Sequence, residues 1–94
     1  MTYRAEVFVT LKPVVNDPEG LTIQRGLRSL GFDSIQEVRS GKYLVLTLDA
    51  ADEARARVLV DAMAAEVLAN AVIEDYRIAI ERVAEPAASG DGRG

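Results

Sequence analysis

The chain has 94 residues, 11 of them basic and 15 acidic, for a net charge of −4, and 49% are apolar. That is length for one domain, with enough apolar content for a core, and the acidic balance excludes a binder that works by neutralising nucleic-acid phosphates. Cys and His are both absent, which removes disulfides, thiolate chemistry, the commonest general base and the commonest metal ligand. No apolar run approaches a membrane span, and the N-terminus enters strand pattern without a signal-peptide core, so the expectation is a soluble cytoplasmic protein.

Residues 3–12 alternate, with Tyr3, Ala5, Val7, Val9 and Leu11 on one face and Arg4, Glu6, Phe8, Thr10 and Lys12 on the other. This is a half-buried strand, ended by Pro13, which cannot donate to a ladder. Asp17-Pro18 starts a helix: Asp caps free N–H groups and Pro suits the first helical position. Ile23, Leu27 and Leu30 recur along one helical face and Gly31 closes it. Gly20 and Gly26 weaken this helix by roughly 1 kcal/mol each relative to Ala, so packing must hold it.

Residues 35–48 read as a hairpin with Ser40-Gly41 as the tight turn. On its second strand Leu44, Leu46 and Leu48 face one side, with Tyr43, Val45 and Thr47 on the other. Asp49 and Asp52 resemble a capping box before a second helix. Its core stripe is Ala56, Leu59, Val60, Met63, Ala64 and Val67, and it ends near Asn70. A last strand spans 72–83, with Val72, Tyr76, Ile78 and Ile80 on one face. The order is β-α-β-β-α-β, an α+β two-layer sandwich of ferredoxin-like type, with two helices on one face of an antiparallel sheet. The domain runs over 1–84, and the polar tail 85–94 is expected to be disordered. The open sheet face would carry Phe8, Thr10, Tyr43 and Val45, which is too apolar for water and points to an oligomer contact.

Candidate chemistry is sparse. Arg39-Ser40-Gly41-Lys42 could hold a phosphate or be an ordinary turn. Asp17 and Glu19 could do acid–base work at the helix start, but capping and favourable dipole placement explain them. Glu74 and Asp75 are adjacent on a strand, face opposite ways and cannot share a substrate. No nucleophile–base pair, phosphate loop or metal spacing is present, which indicates a binding or assembly module.

Three segments carry a family resemblance: residues 12–20 (Lys-Pro-Val-Val-Asn-Asp-Pro-Glu-Gly), 38–44 (Val-Arg-Ser-Gly-Lys-Tyr-Leu) and 68–76 (Leu-Ala-Asn-Ala-Val-Ile-Glu-Asp-Tyr). In order and spacing they resemble the first strand-to-helix turn, the hairpin and the second helix-to-strand junction of PurS, the small subunit of phosphoribosylformylglycinamidine synthase. The resemblance covers residues 1 to about 84. It implies a non-catalytic subunit of an ATP-dependent, glutamine-using complex of purine biosynthesis. It further implies a homodimer or tetramer that bridges a glutaminase subunit and a large synthetase subunit for ammonia transfer. ATP and magnesium are expected on the large subunit and no cofactor on this chain, and the family supplies no catalytic residue to carry over. The expected partner surface is the three loops, at Lys12, Asp17, Pro18, Gly20, Arg39, Lys42, Asn70 and Glu74. The alternative is a free-standing metabolite-binding regulatory dimer of the same fold, which fold alone does not separate.

Overall fold

In the computed structural model, residues 1–84 are described; the expectation of a disordered tail at 85–94 lies outside them. The elements are β1 (Thr2–Leu11), α1 (Pro18–Ser29), β2 (Gly41–Asp49), α2 (Glu53–Met63), a π-helical turn (Ala64–Leu68) and β3 (Glu74–Val83). The sheet has three strands in the order β2-β1-β3, and β1 runs antiparallel to both neighbours. The alternation of β1 follows the sequence pattern: Tyr3, Ala5, Val7 and Val9 are buried and the residues between them are not. The α+β class and the antiparallel sheet are as expected.

Val60 of α2 and Ala64 of the π turn cover the buried face of β1, Ala56 of α2 is also buried, and Tyr76, Ile78 and Ile80 of β3 pack against the same cluster. Asp52 caps α2, accepting from the Arg55 N–H at 2.8 Å. Asp49 takes no part in a capping box; it ends β2 and accepts from the Thr2 hydroxyl at 3.1 Å. The predicted stripe of α2 breaks at its end. Met63 lies at the surface and Val67 is 79% exposed, while Leu68 is half-buried and Ala69 buried. The π turn is the cause. The Ala69 N–H donates to the Ala64 carbonyl, five residues back, and the extra residue moves the inward position from Val67 to Leu68.

Three further expectations are corrected. Residues 35–40 form no strand, so Ser40-Gly41 is not a hairpin turn, and the order among the described residues is β-α-β-α-β. Ser40 of that segment bonds to Asp17 at the start of α1, Arg39 to the loop after β1, and the Ile35 carbonyl to Arg28 near the end of α1. β3 begins at Glu74, because Asn70 organises a turn over 70–74: its side chain accepts from the Val72 N–H and its carbonyl from those of Ile73 and Glu74. Val72 therefore lies outside the strand. Finally, α2 alone packs firmly on the sheet. α1 buries only Gly20 and leaves Leu21, Ile23 and Leu30 exposed.

The two glycines of α1 predict opposite outcomes. A Cβ at Gly20 would be driven into the Val38 carbonyl oxygen and the Asp17 carboxylate, whereas a Cβ at Gly26 meets nothing. Gly20→Ala should cost about 1–3 kcal/mol by overpacking. Gly26→Ala should stabilise by about 0.5–1 kcal/mol through propensity and loss of unfolded-state entropy. Urea unfolding of the two variants checks both signs.

Candidate functional site

The antiparallel register puts the end of β1 and the starts of β2 and β3 together: Thr10 pairs with Gly41, and Leu11 with Glu74. All eight residues expected at the partner surface lie at this end of the sheet, in the loops leaving it or in the first turn of α1. They form two bonded groups.

The first group centres on Asp17, which is buried. Its carboxylate accepts from the Gly20 N–H at 3.0 Å, the Ser40 N–H at 2.6 Å and the Ser40 hydroxyl at 2.9 Å. Asp17 is thus the cap of α1 and also the tie from α1 to the start of β2. The Arg39 guanidinium reaches back to the carbonyls of Lys12 and Val15, at 2.9 and 2.7 Å. It fixes the loop between β1 and α1. Pro18 sets the first helical turn, and Gly20 lets that turn approach Val38. The N–H groups of Gly20, foremost, and Ser40 hold the Asp17 carboxyl below its ordinary value. Burial opposes them; the Ser40 hydroxyl and the Arg39 charge assist.

The second group joins β2 to the junction between the π turn and β3. Lys42 donates to the Leu68 carbonyl at 3.1 Å, and its ammonium lies 4.0 Å from the Glu74 carboxylate. Glu74 in turn accepts from the Asn70 N–H at 2.7 Å. Lys12 closes the arrangement, with its ammonium 2.7 Å from Asp75 and its N–H bonded to the Ile73 carbonyl. The basic groups of Arg39 and Lys42 therefore diverge into separate contacts, and the phosphate cradle considered for residues 39–42 does not form.

Sequence reasoning missed what stands outside these bonds. Val14, in the loop after β1, is 92% exposed, and Val72, in the turn before β3, is 81% exposed. Both lie at the same end of the sheet as the polar groups. The available signal was an apolar pair, Val14-Val15, set in a loop between Pro13 and Asn16-Asp17-Pro18.

On the open sheet face, the Phe8 ring lies between Tyr43, with centroids 5.2 Å apart, and the Arg77 guanidinium, 4.1 Å from its centroid. Arg4 pairs with Glu6 and Glu81 at 3.6 Å, and the Tyr43 hydroxyl donates to Glu6. That hydrogen bond raises the Tyr43 phenol above its ordinary value. Thr10, Tyr43 and Val45 are exposed on this face. On the helix side, a groove of about 510 Å³ runs between α2 and β3 past Arg57, Val58 and Tyr76. Its Tyr76 hydroxyl is satisfied by Asp61 at 2.7 Å, which raises the phenol, and Arg57 lies 3.9 Å from Glu53. The groove's polar groups are paired with one another and do not converge on a ligand position. Among the described residues no acidic cluster suited to a metal occurs, and no helix is long and apolar enough to cross a membrane.

The architecture is that of a small α+β scaffold whose polar side chains hold loops together at one end of its sheet. The sequence model of PurS, phosphoribosylformylglycinamidine (FGAM) synthase, matches residues 4–82, and the chain belongs to the PurS family. It is 49% identical to the phosphoribosylformylglycinamidine synthase subunit PurS of Synechocystis, over 80% of this chain and 75% of that protein. The PurS structure from Bacillus subtilis superposes with a TM-score of 0.75 at 44% identity, covering 85% of this chain and 99% of the other. A chain in the structure of PurLQS from Thermotoga maritima superposes with a TM-score of 0.80 at 28% identity, covering 86% and 99%.

The Asp17 contacts predict a pH dependence. A carboxyl held below its unfolded value adds stability that is fully present above that value, about 3.9, and is lost as pH falls through the lower folded value. The urea midpoint should hold between about pH 7 and 5 and fall below about pH 4. Asp17→Asn should have a lower midpoint at neutral pH and a shallower acid fall; equal falls in both proteins would contradict the assignment.

Proposed function

We propose that this chain is the small, non-catalytic subunit of a phosphoribosylformylglycinamidine synthase of purine biosynthesis. The observation that carries this reading is the family match across nearly all of the described domain, together with a relative whose structure is that of a PurLQS assembly. The role is to hold a glutaminase subunit and an ATP-dependent synthetase subunit in one arrangement, so that ammonia released at one site reaches the other. Ammonia free in water near neutral pH is protonated and diluted. A bridging subunit raises the effective concentration of one site at the other and stabilises the competent arrangement. A cytoplasmic setting and self-association accompany this reading.

The partner-facing surface is the loop end of the sheet. Most of its polar groups are bonded internally, so they shape the surface, while Val14 and Val72 offer apolar contact to a partner. Rigid loops on a scaffold suit this use, because little ordering entropy is lost on docking.

The test is product formation by the synthetase and glutaminase subunits, with and without this chain, fed glutamine or an ammonium salt. Omission should abolish most of the glutamine-driven rate and spare the ammonium-driven rate. Equal glutamine-driven rates would refute bridging, and loss of both rates would place the chain in the synthetase site itself. Val14→Glu combined with Val72→Glu should lower the glutamine-driven rate about tenfold, equivalent to losing about 1.4 kcal/mol of docking. Its circular dichroism should match the wild type, since both side chains are exposed.

A further inference from the structure

The core does not require the π turn. Ala56, Val60 and Ala64 are buried at intervals of four, and the next buried residue is Ala69, five further on. The Ala69 N–H bonds to the Ala64 carbonyl at 2.9 Å across that longer interval. With one residue fewer between them, Ala69 would stand four after Ala64. The bond would then be an ordinary α-helical one, and the same side chains would face the sheet. The residues that follow Ala64 directly, Ala65, Glu66 and Val67, are all exposed. The extra residue thus interrupts the helical ladder and buries nothing.

What the turn changes is the outer surface. Val67 is 79% exposed at a position that an uninterrupted helix would turn inward. The bulge is held from both sides of the chain. Lys42 of β2 donates to the Leu68 carbonyl, and the turn organised by Asn70, which carries the exposed Val72, follows at once. Glu66 has no hydrogen bond or ion pair among the described residues, whereas Lys42 and Glu74 at the same end of the sheet are engaged with each other. The bulge therefore presents an apolar side chain and, next to it in sequence, an uncompensated carboxylate.

We propose that the π turn is a display device: it gives up helix regularity to turn Val67 and Glu66 outward, where they dock on a partner subunit that offers an apolar pocket with a basic side chain at its rim. This rests on the bridging role proposed above and extends the docking surface from Val14 and Val72 to the end of α2. Charge complementarity sets the partner's chemistry. Burying Val67 against another protein brings Glu66 to the edge of the contact, where a Lys or Arg neutralises it and a carboxylate repels it. An irregularity without a use in the core is explained by a use at the surface, and one-turn π bulges in helices recur at functional sites.

Deletion of Ala65 tests this, because it keeps Glu66 and Val67 but restores the interval of four between the buried positions. The variant should keep the wild-type circular dichroism and a urea midpoint equal to or above that of the wild type. With the synthetase and glutaminase subunits, and this chain limiting, it should lower the glutamine-driven rate about tenfold. Val67→Asn, which keeps the bulge, should lower that rate severalfold at an unchanged midpoint. Glu66→Lys should lower it more at low salt than at high salt. A lower midpoint on deletion would overturn the proposal, since the extra residue would then serve the core. Wild-type rates in the deletion variant or in both point variants would also overturn it. Sedimentation of the chain alone should be the same with and without Ala65; a change would assign the bulge to contacts between copies and overturn docking on a partner. Omitting the chain from the same assay separates this inference from the bridging role. A rate lost on omission but kept by every variant leaves bridging standing and overturns the display role, and a rate unchanged on omission overturns both.

Discussion

One buried carboxylate organises the loop end of this molecule's sheet. Asp17 accepts three hydrogen bonds, from two segments that are 20 residues apart in sequence. Removing those bonds would leave the first turn of α1 uncapped and the approach to β2 unattached. Arg39, the neighbour of Ser40, then has the geometry to bind two carbonyls of the loop after β1. The Gly20–Val38 approach is possible only once the helix start is held against that segment. The loop, the helix start and the strand start behave as one unit because their polar groups satisfy each other. Such mutual satisfaction makes burying a carboxylate affordable in a small domain.

This changes the meaning of the charged residues at the loop end of the sheet. Lys12, Asp17, Arg39, Lys42 and Glu74 invite a reading as recognition groups. In the fold each is engaged in holding a loop, a strand start or a helix end. These contacts impose the shape of the loop end, and Val14 and Val72 are the apolar tips left outside them. Substituting the charged residues would loosen the loops, whereas substituting the exposed Val14 or Val72 would leave the fold intact.

Much of the frame was legible in the sequence. The alternation of β1, the Asp17-Pro18 start, the Gly31 stop and the family motifs at 12–20 and 68–76 map to features of the fold, because each depends on local periodicity or on backbone chemistry at one position. The convergence of the three loops at one sheet end also follows from an antiparallel register once the strands are placed. The rest depended on competition between distant groups. Residues 35–40 have acceptable strand composition, but Ser40 and Arg39 find better partners in the segment 12–17 than in a ladder. The end of α2 reads as continuous period 3.6 until a single extra residue in the π turn exchanges Val67 for Leu68. Periodicity in sequence cannot register an insertion into the hydrogen-bond ladder.

The central claim is that Asp17 holds the start of α1 and the start of β2 together as one unit. Amide hydrogen exchange of Gly20 and Ser40, read residue by residue in wild type and Asp17→Ala, tests it most directly. The account predicts that both amides are protected in the wild type. It predicts that both lose protection together in the variant, while the amides of β1 in the centre of the sheet keep theirs. A Ser40 amide that exchanges freely in the wild type, or that stays protected in Asp17→Ala, would contradict it.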